Sequence, residues 1–99
     1  EASHRYAKAM NVELGRISIR DQKSRWGSCS PAGDLSYSWR LILAPSHVLD
    51  YVAAHEVAHR LEMNHGPRFW RHVLTHCPHA GEAKRWFKAH GAGLHRISF

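Results

Sequence analysis

Cysteine is scarce in this chain of 99 residues, and its two copies follow no pattern. Cys29 and Cys77 form no C-x-x-C pair, which excludes a disulfide framework. Two small thiols in a reducing compartment is the plain reading, and it places the protein in the cytoplasm. Long apolar runs are missing as well. No stretch approaches the roughly 20 residues of a membrane span, and the start lacks a signal-peptide pattern, so no membrane partner is expected. There are no repeats, low-complexity segments or linkers, and no block of like charge. No P-loop or other glycine-rich phosphate cradle is present. The chain begins at Glu1 rather than Met, so a fragment of a longer protein is one reading of its start.

What remains is the composition of an ordinary globular domain, 43% hydrophobic and 22% charged. The length allows one core and hence one domain, 1–99. A core this small would gain stability from a bound metal. The formal charge is +6 with histidines neutral. That balance suits solubility and is compatible with nucleic acid or acidic partners, although a basic, solvated surface accounts for it equally. The oligomeric state is not encoded in any pattern here.

Residues 2–10 suit a short helix. "GRISIR" alternates, which predicts a half-buried strand with Ile17 and Ile19 facing inward. "RWGSCS" (25–30) is a second candidate strand, and "PAGD" (31–34) is a turn signal. "LSYSWRL" alternates again, with Leu35, Tyr37, Trp39 and Leu41 on one face. Together these predict a small antiparallel sheet with a hairpin around Gly33. A helix capped by Ser46 is expected to run to about Met63, and Asn64 and Gly66 are natural terminators because both tolerate positive φ. Pro67 then opens another helix, with Phe69/Val73 and Trp70/Leu74 packed inward. A last helix spans about 79–90, and "LHRISF" reads as an extended tail.

The chemistry lies in "HEVAHRLEMNH" (55–65). On a helix His55 and His59 stand about 40° apart on one face, one turn apart in height. Two imidazoles so placed can converge on one ion at about 2.0–2.1 Å each. Glu56 lies about 100° round from His55, badly placed to ligate but well placed to reach a water on the ion. A catalytic zinc needs a third protein ligand. His65 can supply it if the chain breaks and folds back. Glu62 is the rival, either as a ligand or as an orienting group behind one. His4, His47, His72, His76, His79, His90 and His95 read as ordinary polar or packing residues. Trp70 and Trp86 read as core.

"KSRWGSCS", "WRLILAPSHVLDYVAAHEVAH" and "NHGPRFW" together resemble the YgjP-like zinc metallopeptidases, part of the zincin class that includes the SprT-like and minigluzincin proteins. The resemblance covers about Arg16 to Gly91. It implies an α+β, zincin-like minimal catalytic domain, with a small sheet, an active-site helix and two C-terminal helices. It implies Zn2+ bound by His55, His59 and His65, Glu56 as the catalytic carboxylate, and Trp26–Ser30 close to the active site. Metzincins share the histidine spacing but carry Gly where this chain has Glu62. SprT-like proteins usually have a longer interval before the third histidine.

The expected activity is peptide hydrolysis, with Glu56 as general base and then general acid to an activated water. A peptide or protein substrate would run along a sheet edge beside Trp26, Gly27, Ser28 and Cys29. Gly27 either admits close backbone approach or marks a bulge. Arg68, Tyr37 and Arg25 are candidate oxyanion donors, although Arg68 can equally pair with Glu62. Two other classes compete: a zinc-dependent nucleotide triphosphate hydrolase, and a non-enzymatic, DNA-associated zinc domain.

Overall fold

The computed structural model describes residues 2–21 and 26–91. Arg25, the tail after Gly91 and His95 lie outside them. Helix α1 (Ala2–Met10) buries Ser3, Tyr6, Ala7 and Met10, an i, i+3, i+4, i+7 stripe. It stops where Asn11 takes φ 57, a left-handed value that Asn tolerates. Three short strands follow, β1 (Ile17–Arg20), β2 (Gly27–Cys29) and β3 (Leu35–Ser38), in the order β1-β3-β2.

The sheet is mixed rather than antiparallel. β2 and β3 form the expected hairpin, with Gly33 at φ 94 in its turn. β1, however, pairs parallel to β3, Ile17 opposite Leu35 and Ile19 opposite Tyr37. The alternation in β1 reports which face is buried and carries no information about strand direction. Nor is the buried face complete, since Ile19 at this outer edge is 64% exposed. β3 buries Leu35 and Tyr37 as expected but ends at Ser38, whose hydroxyl caps a 3-10 turn over Trp39–Leu43. Leu41 is therefore buried from a turn and not from a strand.

Helix α2 (Ser46–Ala58) is the central element. Val48, Tyr51, Val52, Ala53, Ala54, Val57 and Ala58 are all buried, because α1, β2, α3 (Pro67–His76) and α4 (Ala80–Trp86) pack around it. Its N-cap is Pro45, not Ser46, and no side chain caps it. Its end also falls earlier than periodicity predicts, at Ala58 rather than Met63. α3 begins with Pro67 in its first turn and buries Phe69 and Val73, but Leu74 is 52% exposed. α4 continues into a π-helical turn, Phe87–Gly91. Among the described residues no helix is long and apolar enough to cross a membrane.

Candidate functional site

The last turn of α2 determines where the histidines go. His59 is the C-cap and keeps right-handed dihedrals, φ -64 and ψ -15, so the i, i+4 relation to His55 survives the helix end. Beyond it the backbone tightens: Arg60 N–H donates to Val57 O and Leu61 N–H to Ala58 O, both i→i−3 bonds. The reversal is made by this tightened turn and not by left-handed residues. Asn64 and Gly66 have no positive φ, and Gly66 sits at φ -86 as the N-cap of α3.

Arg60 pins the turn to the rest of the domain. Its Nε donates to Glu13 O at 2.9 Å and its Nη1 to Pro31 O at 3.2 Å. The backbone at Gly33 passes so close that a Cβ there would lie 2.7 Å from Arg60 Nε.

The folded-back segment brings His65 to the other two histidines. Ring centroids are 5.1 Å apart for His55–His59, 5.1 Å for His55–His65 and 4.7 Å for His59–His65. One ring nitrogen from each lies within 4.8 Å of the others. His59 is buried, His55 is half-buried and His65 is exposed, so the cluster opens to solvent on the His65 side.

Proton bookkeeping assigns the tautomers of the two helical histidines. His59 Nδ1 lies 3.1 Å from Glu62 O, and a carbonyl can only accept, so Nδ1 carries the proton. Its Nε2 lone pair is then free. His55 Nδ1 faces a carboxylate oxygen, Glu56 Oε2, at 3.3 Å, which leaves Nε2 free there too. Burial pushes the His59 pKa down, which favours the neutral ring that a ligand must be. Glu62 thus orients a histidine, but through its main-chain carbonyl, and its carboxylate is not part of the cluster.

Phe69 forms the floor. Its ring stacks on His59 at 4.5 Å and meets His55 at 4.9 Å and His65 at 4.8 Å. Trp70 stands edge-on to His55 at 5.8 Å, and Lys84 Nζ lies 3.6 Å over its ring. Both aromatics read as core from spacing alone; α3 follows directly on the fold-back after His65, and that adjacency is the signal for their second role.

Two adjoining clefts flank the cluster. One, about 300 Å3, is lined by Gly27, Ser28, Cys29, His55, Glu56, His59, Met63 and His65. The other, about 330 Å3, is lined by Trp26, Gly27, Tyr51, Val52, His55, Glu56 and Phe87. Trp26 packs on Phe87 at 4.8 Å and edge-on to Trp86 at 6.3 Å. Tyr51 was not singled out by motif, yet it stands one turn before His55 on the same helical face. Burial pushes its phenol up to about 12, so it keeps its proton at neutral pH.

Gly27 is regularly paired with Tyr37, without a bulge. Its missing side chain makes room for Glu56, because a Cβ would lie 3.1 Å from Glu56 Cγ and 3.2 Å from Oε2. Cys29 has its thiol pKa raised, first by burial and then by the Glu56 charge, which argues against a thiolate nucleophile.

Two candidate oxyanion donors are not brought to the cluster. Arg68 is exposed and lines neither cleft, and among the described residues no ion pair joins it to Glu62. It occupies the first turn of α3, whose inward face is taken by Phe69. Tyr37 is buried, with its hydroxyl 2.8 Å from Ser3 Oγ on the α1 side. Three imidazoles that converge beside an open side could hold a metal ion and leave a position for water or substrate.

The family described as "YgjP-like, metallopeptidase domain" matches residues 1–90. No curated protein matches the sequence significantly. Among solved structures, the metallopeptidase zymogen abylysin of Pyrococcus abyssi superposes with a TM-score of 0.78 at 20% identity, covering 91% of this chain and 92% of that one. The metallopeptidase zymogen jannalysin of Methanocaldococcus jannaschii gives 0.75 at 19% identity, covering 89% and 91%. At these identities the two structures establish the α+β fold.

Proposed function

The chain belongs to the YgjP-like metallopeptidase family, and from that membership we propose a zinc-dependent endopeptidase whose single domain holds the ion with His55, His59 and His65. The reading rests on one observation above others: three imidazole nitrogens within 4.8 Å of one another, beside a 7% exposed carboxylate. Bound zinc supplies Lewis acidity, which acidifies water and polarises a carbonyl. Glu56 takes the proton from the attacking water and returns it to the leaving amine. Gly27, having no side chain, leaves that carboxylate its place beside β2.

β2 is an edge strand, so an extended peptide can add beside Gly27–Cys29 through main-chain hydrogen bonds. The cleft walled by Trp26, Tyr51, Val52 and Phe87 would then receive an apolar side chain of the substrate. Family membership makes peptides or proteins the substrate class. The free thiols Cys29 and Cys77 suit a reducing, cytoplasmic setting.

Replacing Glu56 with Gln tests the assignment. The amide keeps the shape but cannot take the proton, so zinc should be retained at full stoichiometry while peptide turnover falls by at least about 10²-fold. Metal analysis and a quenched-peptide assay on the same sample decide it. Undiminished turnover removes Glu56 from the chemistry.

A further inference from the structure

On the other flank of α2, about 140° round the helix from His55, a different set of ligand atoms converges. Asp50 of α2, Cys77 at the end of α3 and His79 at the start of α4 bring a carboxylate oxygen, a sulfur and a ring nitrogen within 4.8 Å of one another. We propose that these three side chains form a second metal site, one that takes a thiophilic divalent cation of the zinc class.

The argument begins with one atom. His79 Nε2 lies 3.3 Å from Cys77 Sγ and also 3.0 Å from Asp50 Oδ2. A single imidazole proton cannot make two linear hydrogen bonds. If Nε2 is protonated and donates to the carboxylate, the thiol is left to Tyr6 Oη, which already donates to that same carboxylate. If Nε2 accepts from the thiol, its lone pair is spent and it meets the carboxylate without a proton. A cation at the centre satisfies sulfur, nitrogen and oxygen together. A tetrahedral shell with zinc–ligand distances of about 2.0–2.3 Å separates neighbouring donors by roughly 3.3–3.6 Å, near the 3.3 and 3.0 Å from His79 Nε2 to the sulfur and the carboxylate oxygen.

The surroundings fit as well. Arg5 binds the other carboxylate oxygen, Oδ1, and Tyr6 Oη donates to Oδ2, so the carboxylate is held in orientation as ligating carboxylates usually are. A shallow cleft lined by Arg5, Ser46, His47, Asp50 and His79 opens two of the three proposed ligands to solvent, on the side where a fourth ligand water would stand. Cys77 is fully buried. A cation bound there takes the place of the thiol proton, which leaves to solvent as the sulfur becomes a thiolate ligand. The site ties α2, α3 and α4 together and, through Arg5 and Tyr6, reaches α1. Its role is a structural clamp, separate from the histidine cluster.

Cobalt substitution tests it on the full chain. Co2+ bound through sulfur absorbs in the near ultraviolet by charge transfer from thiolate, and a site of imidazoles alone does not. The wild type should take up a second equivalent of Co2+ and develop that absorption. Cys77→Ser and His79→Asn should each lose the band and one equivalent of metal; the His79 variant changes a half-exposed side chain and preserves the core. Cys29→Ser and His65→Ala should keep the band, and His65→Ala separates this site from the catalytic one. Absence of the band, its loss in Cys29→Ser, or its persistence in Cys77→Ser overturns the proposal.

Discussion

Gly27 shows how tightly single residues are set around the site. Its absent side chain is the space that Glu56 uses: an added Cβ would meet Glu56 Cγ at 3.1 Å and Ser36 O at 3.2 Å. Alanine at this position must push either the carboxylate or the central strand by a few tenths of an ångström. Because such misplacement acts on reaction geometry, Gly27→Ala should lower kcat by about tenfold to 10²-fold while metal content is unchanged. Steady-state kinetics with parallel metal analysis check this, and an unchanged kcat shows that the carboxylate tolerates the crowding. Phe69 makes the complementary case. It is fully buried, and its ring touches all three histidines. Phe69→Ala should therefore cost about 3–5 kcal/mol in urea unfolding of the metal-free chain. A loss below about 1 kcal/mol would mean that the site collapses around the gap without penalty.

Elements were legible where one local rule decided them. The stripe in α1, the turn at Gly33, the first-turn Pro67 and the histidine pair on α2 each follow from spacing or from one residue's backbone preference. The α+β class and the three histidines drawn together follow from the same local cues and the motif resemblance. What escaped was decided at a distance. The parallel pairing of β1 depends on how the chain returns to the sheet, and alternation does not encode it. The early end of α2 depends on Arg60 reaching Glu13 O and Pro31 O, carbonyls far away in sequence. Asn64 and Gly66 looked like left-handed stops, but the turn closes through i→i−3 bonds before either is reached. Two glycines distinguish these accounts. Gly66 has φ -86 and open space around a Cβ, so Gly66→Ala should change stability by less than about 1 kcal/mol, the gain through the unfolded chain being offset by the poorer N-cap. Gly33 has φ 94 and Arg60 Nε at 2.7 Å from a Cβ, so Gly33→Ala should destabilise by more than about 1 kcal/mol. If the two substitutions behave alike in thermal melts, the tightened turn is not what ends the helix.

At the scale of the whole molecule, the histidine cluster joins the end of α2 to the segment that leads into α3. Two of the proposed ligands stand at the C-terminal end of α2, and the third sits on the exposed segment that leads into α3. A cation there binds the folded chain and finds no preformed site in the unfolded one, so its binding energy adds to folding stability. At metal 100-fold above its dissociation constant that addition is about 2.7 kcal/mol. In a domain of this size each kcal/mol shifts Tm by about 4–8 °C, so saturating zinc should raise Tm by roughly 10–20 °C over chelated protein. His65→Ala locates the effect. Its side chain is exposed, so the metal-free variant should melt close to the metal-free wild type. With one ligand gone, most of the shift on adding zinc should vanish, leaving whatever part arises from Asp50, Cys77 and His79. A full zinc-dependent shift in the His65 variant would mean that the exposed imidazole is not a ligand and that the fold-back after α2 serves packing alone.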